Sequence, residues 1–140
     1  MDIVIDANEL FSSIIAKGKN KNSRTIEIFF SEGVRLYAPF KIMDELQKNR
    51  EEIITKSSFS ASEYELFLRI LKLRITFIQP DSFSEKIREA KNLAPHQKDV
   101  EYFALALKIN AVIWSEEKGF KDQMRIKVFS TNELWNILSS

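Results

Sequence analysis

Four acidic side chains stand where a predicted strand ends or a predicted helix begins. In an open parallel sheet such places meet in the crevice beyond the carboxyl ends of the strands, so these carboxylates are expected to converge. Converging carboxylates repel one another unless a cation lies between them. Because hard divalent ions take oxygen ligands, the simplest chemistry for this group is metal-assisted attack on a phosphate ester. The four acids are Asp6, Glu45, Asp99 and Glu117.

Composition limits the other possibilities. The 140 residues suffice for a single domain, predicted to span 1–140, with one core. There are no cysteines, which excludes disulfides and thiolate metal sites. Lys and Arg number 21 and Asp and Glu 20, so any phosphate-binding surface must be local. No apolar run approaches the roughly 20 residues of a membrane span, which predicts a cytoplasmic protein without membrane association.

Strand and helix patterns alternate along the chain. Apolar runs predict five strands, at 3–5, 34–38, 75–78, 111–114 and 127–129. Helical spacing predicts helices at about 8–16, 26–32, 39–56, 61–73, 84–92, 100–107 and in the last ten residues. This alternation predicts an α/β fold with three layers, α/β/α, around a mostly parallel central sheet of about five strands.

Several residues predict where these elements begin and end. A polar turn is expected from Lys17 to Ser23, and Gly33 is expected to end the second helix. Pro39 suits the first turn of a helix that would run to about Lys56 and carry Glu45. Capping boxes are expected at Ser60-Ala61-Ser62-Glu63 and Ser130-Thr131-Asn132-Glu133.

Around the four acids the sequence has four motifs, which span most of the chain. They are Asp6-Ala7-Asn8 after the first strand, Met43-Asp44-Glu45-Leu46 after Pro39, Asp99 leading into Tyr102-Phe103-Ala104-Leu105-Ala106-Leu107, and Val112-Ile113-Trp114-Ser115-Glu116-Glu117-Lys118. In this order they resemble the motifs of the PIN domain, a family of metal-dependent nucleases that includes the toxins of many prokaryotic toxin/antitoxin pairs. The family's fourth motif usually has Asp two residues after Ser or Thr, where this chain has Glu117.

The resemblance implies an endoribonuclease that cleaves single-stranded RNA and leaves a 5′-phosphate and a 3′-hydroxyl. The four acids would hold Mg²⁺ or Mn²⁺, with Glu116 as the alternative fourth ligand, and a water activated by the metal would attack the phosphorus. Asn8 and Ser115 are uncharged and stand beside the acids, so they would orient ligands or water. RNA and an antitoxin protein are the implied partners.

Phosphate contacts require basic side chains near these motifs. Two sets are available: Lys17, Lys19, Lys21 and Arg24 in the first turn region, or Lys118 and Lys121 after the fourth motif. Solubility is the alternative role for each of them.

The same residues allow a second interpretation. Asp6 could cap the following helix, Asp99 could complement a helix dipole, and the remaining acids could be solvated. The chain would then be a catalytically weak or inactive module of the same fold that binds RNA or protein, an alternative that the unusual Glu117 favours. His96 is the only histidine, which argues against metal-free acid–base cleavage. The glycines form no phosphate-cradling loop.

The helix after Ser60 predicts a homodimer. Tyr64, Phe67, Leu68 and Leu71 form one apolar stripe, and Leu66, Ile70 and Leu73 form a second on nearly the opposite side. One core cannot easily cover both stripes, so a second copy of the chain is expected to cover the second one. A neighbouring helix of the same chain is the alternative cover.

Overall fold

The computed structural model describes residues 1–19 and 23–140. The strands are β1 (Asp2–Ile5), β2 (Arg35–Pro39), β3 (Ile75–Ile78), β4 (Val112–Trp114) and β5 (Val128–Phe129). The helices of the described residues are α1 (Ala7–Gly18), α2 (Arg24–Phe29), α3 (Ile42–Lys48), α4 (Arg50–Ser57), α5 (Ala61–Lys72), α6 (Ile87–Leu93), α7 (Val100–Ile109) and α8 (Thr131–Leu138). Short 3₁₀ turns precede α6 and α7 and follow β4.

The strands form one sheet in the order β3-β2-β1-β4-β5, and every neighbouring pair is parallel. β1 lies at the centre, and its residues Ile3, Val4 and Ile5 are fully buried. A continuous run of β-branched residues, rather than an alternating one, is typical of a strand covered on both faces. The predicted parallel sheet of about five strands is confirmed.

Helices cover the sheet in two layers. α7 packs against β1, β2 and β4 with α6 beside it, while α1 packs against α2, α3, α4 and α5. The approach of α1 to α4 is close, because a methyl group on Gly18 would lie 2.2 Å from the carbonyl oxygen of Ser57. The predicted α/β/α architecture is therefore confirmed. No helix in the described part of the chain is long and apolar enough to cross a membrane.

Two predicted boundaries around the second motif are wrong. Pro39 ends β2 instead of opening a helix, and it lies beyond the β1 register, which reaches only Tyr37, so its missing N–H costs no bond to β1. The helix predicted to reach Lys56 is divided at Asn49 into α3 and α4. The Asn49 side-chain amide donates to the Glu45 carbonyl oxygen at 2.7 Å, a local bond that competes with continuous helix.

The second helix also ends earlier than predicted. α2 stops at Phe29, and Gly33 follows in a turn without a left-handed conformation. The carbonyls near this end are bonded by a distant residue instead, since the Arg74 guanidinium donates to the carbonyl oxygens of Phe29 and Ser31 at 3.1 and 2.9 Å. The polar turn predicted from Lys17 begins only after Gly18, and residues 20–22, including Lys21, lie outside the described residues.

Both predicted capping boxes are confirmed, at Ser60 with Glu63 and at Ser130 with Glu133. The first begins α5, whose two apolar stripes differ in burial. Tyr64, Phe67, Leu68 and Leu71 are buried, whereas Leu66, Ile70 and Leu73 remain exposed by 59, 41 and 84%. No neighbouring helix of the described chain covers the second stripe, so that alternative is excluded.

Candidate active site

Asp6 lies at the carboxyl end of the central strand, where β1 passes into α1. Its backbone N–H donates to the Trp114 carbonyl oxygen at 3.1 Å, which fixes it beside the end of β4. Although Asp6 occupies the N-cap position of α1, its side chain makes no capping bond. The carboxylate is instead only 5% exposed and accepts a hydrogen bond from the Ser115 hydroxyl at 2.9 Å. Capping therefore does not account for Asp6.

Asp99 ends the 3₁₀ turn that leads into α7, and it is also 5% exposed. It makes no capping bond either, and its Oδ2 atom is buried without a hydrogen-bond partner among the described residues. Burial raises the pKa of Asp99, with a further rise from the Glu117 charge. The nearby side chains of Lys98, His96 and Lys41 lower that pKa.

The two glutamates of the loop after β4, Glu116 and Glu117, have different hydrogen-bond partners. The Glu117 carboxylate accepts from the Asn8 side-chain amide at 3.3 Å, and its backbone N–H donates to the Ser115 hydroxyl at 3.1 Å. The Glu116 carboxylate instead accepts from the Thr131 backbone N–H at 2.7 Å, at the start of α8. Glu117 thus lies on the side of Asp6, and Glu116 on the side of α8.

Glu45 reaches the same region from α3. Its carboxylate accepts a hydrogen bond from the Tyr102 hydroxyl at 3.0 Å and lies 3.8 Å from the Lys41 ammonium. Burial and the Glu45 charge raise the pKa of Tyr102, so its phenol stays protonated and serves as a donor. Lys41 also donates to the Lys98 carbonyl oxygen, which ties α3 to the turn that carries Asp99.

The four predicted acids influence one another electrostatically. Burial raises the pKa of Asp6 to about 6 against the lowering effect of the Ser115 bond, and the charges of Glu117, Asp99 and Glu45 raise it further. No three carboxylate or imidazole groups of residues 1–19 and 23–140 lie close enough together to hold an ion as the side chains stand. The structure therefore brings the acids into one electrostatic neighbourhood, with oxygen donors of the kind that Mg²⁺ and Mn²⁺ prefer.

Sequence reasoning missed Glu9. This residue of α1 is only 3% exposed, and burial together with the charges of Glu116 and Asp6 raises its pKa to about 7. Its carboxylate accepts from the Glu116 backbone N–H at 3.0 Å and from the Thr131 hydroxyl at 3.5 Å. A signal was present, because a residue three positions after Asp6 lies on the same helix face.

Comparison with known proteins agrees with these motifs. A family model described as PIN domain matches residues 4–133, a range that includes all four acids. The chain belongs to the PIN domain family. PIN domains are generally nucleases that use divalent metal ions. The sequence has no significant match among curated proteins.

A solved structure shows the same PIN fold. The crystal structure of VapBC2 from Rickettsia felis bound to a DNA fragment from their promoter contains a chain that matches with a TM-score of 0.63 and 17% sequence identity. The match covers 93% of this chain and 98% of that chain. At this identity the likeness establishes the fold alone.

Proposed function

We propose that this PIN domain is a Mg²⁺- or Mn²⁺-dependent endoribonuclease that hydrolyses phosphodiester bonds of single-stranded RNA. The observation that carries the proposal is the placement of Asp6, because its buried carboxylate follows the central strand and the charges of three further carboxylates reach it from other segments of the chain. Such a group is destabilised when fully ionised, and a cation relieves the repulsion. The Oδ2 atom of Asp99, which has no hydrogen-bond partner among the described residues, fits the same role, since a metal ion would supply that partner.

In this proposal the metal ligands, direct or through water, are Asp6, Glu45, Asp99 and Glu117. When bound, the ion would polarise the phosphate and acidify a water molecule at neutral pH. The protein's own groups prepare the ligands. Ser115 holds the Asp6 carboxylate and Asn8 holds that of Glu117, while Tyr102 fixes Glu45 by its hydroxyl. Glu117 is preferred over Glu116 because Thr131 already engages the Glu116 carboxylate.

The carboxylates must turn towards one another to form the site, since they are not assembled as they stand. That observation, with Glu117 in place of the usual Asp, also favours the second candidate function, a catalytically weak or inactive module that binds RNA or protein. The two functions differ in one measurable respect. Only the enzyme requires a divalent ion for turnover.

The decisive experiment is cleavage of a labelled single-stranded RNA by the wild-type protein with Mn²⁺, with Mg²⁺ and with chelator. Turnover that depends on the ion and yields 5′-phosphate products supports the nuclease. Asp44→Asn is a control for the loss of an acidic charge outside the site, and it should cleave RNA as wild type does. Asp44 neighbours Glu45 but is exposed, with no side-chain bond in the described residues. RNA binding that is indifferent to metal, without cleavage, would favour the module.

Contacts to RNA phosphates are proposed at Lys118, which is exposed and directly follows Glu117. Two other basic candidates are engaged elsewhere. Arg24 bonds the Asn132 side chain and lies over the Trp135 ring, and Lys121 pairs with Glu133. Lys17 and Lys19 are exposed as well, but they lie at the end of α1 opposite to Asn8. Lys118→Ala should raise KM for RNA more than it lowers kcat.

A homodimer through α5 is also proposed. The exposed stripe of Leu66, Ile70 and Leu73 supports it, because large apolar side chains clustered on one helix face mark interaction surfaces. Light scattering should show a dimer for the wild type and a monomer for Leu66→Glu. Met124→Glu is the matched control, since Met124 is fully exposed but isolated. A wild type that is monomeric at micromolar concentration would remove this proposal.

The nuclease is further proposed to act as the toxin of a toxin/antitoxin pair in the cytoplasm, where RNA is available. The shared fold with a chain of the VapBC2 structure supports this role. Expression in a bacterial host should arrest growth for the wild type but not for Asp99→Asn. Growth that is unaffected by an enzyme active in vitro would point to RNA processing instead.

A further inference from the structure

Glu9 lies behind the four acids and contacts the loop that supplies the last of them. Its Oε1 atom accepts from the Glu116 backbone N–H at 3.0 Å, and its Oε2 atom accepts from the Thr131 hydroxyl at 3.5 Å. A carboxylate with 3% exposure loses solvation on folding and needs such bonds in compensation. Both donors lie outside α1, so the Glu9 carboxylate does not cap or stabilise its own helix through these bonds.

The peptide that Glu9 holds stands between two residues of the site. On one side Ser115 bonds Asp6, and on the other Glu117 bonds Asn8. The Ser115 hydroxyl also accepts the backbone N–H of Glu117, so the loop is folded tightly around this hydroxyl. A shift of the Glu116 peptide would therefore displace both neighbours with respect to Asp6.

The far side of the same peptide is fixed as well. The Glu116 carboxylate accepts from the Thr131 N–H, and the Thr131 hydroxyl accepts from the buried indole N–H of Trp114 at 3.0 Å. Trp114 ends β4, directly before the loop. The loop is thus held from α1 by Glu9 and Asn8, and from α8 by Thr131. Of these contacts, only that of Glu9 is made to the Glu116 peptide from α1.

We propose that Glu9 is a positioning residue: its carboxylate fixes the Glu116 peptide and thereby sets where Ser115 and Glu117 stand relative to Asp6. Its effect on catalysis rests on the proposed nuclease function. Its effect on the loop does not, and that effect can be measured without metal or RNA.

Three substitutions separate hydrogen bonding from charge and from packing. Glu9→Gln keeps an acceptor at the same reach, Glu9→Leu keeps much of the bulk without an acceptor, and Glu9→Asp keeps the charge one methylene short. Ile75→Val, in the edge strand β3, is a control for simple destabilisation. Each protein is compared with wild type by amide hydrogen exchange at Glu116 in chelator, by the Mn²⁺ concentration that half-saturates the rise in Tm, and by kcat and KM for RNA.

For Glu9→Leu and Glu9→Asp we expect the Glu116 amide to lose protection in chelator and the Mn²⁺ requirement to rise about 10- to 100-fold. At saturating Mn²⁺, kcat should fall while KM for RNA changes little. Glu9→Gln should restore amide protection and most of the activity. Ile75→Val should melt lower with an unchanged Mn²⁺ half-point.

A protected Glu116 amide in both Glu9→Leu and Glu9→Asp would overturn the proposal, whether or not the protein cleaves RNA. If Glu9→Leu does not fold, Glu9→Asp decides alone. The proposal would also be overturned if Glu9→Gln lost as much amide protection and activity as Glu9→Leu does. The charge of Glu9, and not its hydrogen bond, would then be what matters. A wild type with no cleavage and no Mn²⁺ response would instead defeat the proposed function, and the amide measurement would still decide the role of Glu9.

Discussion

Two groups of carboxylates flank the end of β4, and they differ in the donors that they meet. The site acids are Asp6, Glu45, Asp99 and Glu117, and the anchoring pair is Glu9 and Glu116. The anchoring pair accepts backbone N–H groups, from Glu116 and Thr131. Three of the site acids, Asp6, Glu45 and Glu117, accept from side chains, and the Oδ2 atom of Asp99 has no partner among the described residues.

This difference separates carboxylates that hold the fold from carboxylates left available for a ligand. A backbone donor is fixed by the fold, so a carboxylate bonded to it is already committed. A side-chain donor can rotate with its acceptor, which leaves the remaining lone pairs free for a cation. Burial does not make this distinction, because Asp6 and Glu9 are both buried and both have a raised pKa, of about 6 and about 7.

The largest expected effect comes from neutralising one member of each group. Asp99→Asn should lower kcat/KM for RNA by about 10²–10³-fold, because the metal ion that would stabilise the developing charge on the phosphate would lose a ligand. Glu116→Gln should have little effect, since its amide oxygen still accepts the Thr131 N–H. Steady-state cleavage assays on both variants, with circular dichroism to establish folding, make the comparison. Equal losses in the two variants would erase the distinction between the groups.

The next effect is on stability in chelator. The folded-state pKa of Asp6 is raised from an unfolded value near 4 to about 6, so its contribution is most favourable at low pH and is lost as pH rises through about 6. Asn does not ionise, so Asp6→Asn keeps its stability as pH rises. At pH 7 its free energy of unfolding should exceed that of wild type by on the order of 2–3 kcal/mol. Thermal melts should show the advantage growing from pH 4 to pH 7 and vanishing below pH 4. An Asp6→Asn variant that melts lower throughout would mark Asp6 as structural.

Added Mn²⁺ should cancel the advantage of Asp6→Asn over wild type. Selective binding to the native state raises wild-type stability by about 2.7 kcal/mol at a concentration 100 times Kd, and Asp6→Asn should lose most of this gain. For the anchoring pair the prediction is the opposite. The pH-dependent advantage of Glu9→Gln over wild type, between about pH 4.5 and 7, should persist at saturating Mn²⁺, because Glu9 would hold no metal.

Much of the fold and part of the site were predictable from local patterns. The buried run at Ile3–Ile5 predicts a central parallel strand, and in a parallel sheet the acids that follow β1 and β4 must share an edge. One of the boundaries that failed, the end of α2, depends on a distant partner. α2 ends where the Arg74 guanidinium, more than forty residues away, bonds its last carbonyls, and no local pattern contains that contact.

The same limit explains what the sequence left open within the site. Glu116 and Glu117 are adjacent residues of the same type, so the sequence does not distinguish them. Only the position of α8 shows that the Glu116 carboxylate is bonded to Thr131. In the sequence, Glu9 is like any other acid in the first turn of a helix. Only its hydrogen bond from the Glu116 backbone N–H distinguishes it. Its position three residues after Asp6 is a usable signal, because the two share a helix face.

The smallest expected effects come from deleting one hydroxyl beside each group. Ser115→Ala removes the bond that lowers the pKa of Asp6, so that pKa should rise further, and the Mn²⁺ half-point should increase about tenfold with little change in the chelator melt. Thr131→Val leaves the buried Trp114 indole N–H without its acceptor, at a cost of about 1–3 kcal/mol in the free energy of unfolding. Its Mn²⁺ half-point should stay unchanged, because Glu9 still holds the Glu116 peptide. Denaturant melts and Mn²⁺ titrations of both variants measure the contrast. A Thr131→Val protein that needs more Mn²⁺ would show that α8, and not α1 alone, positions the loop.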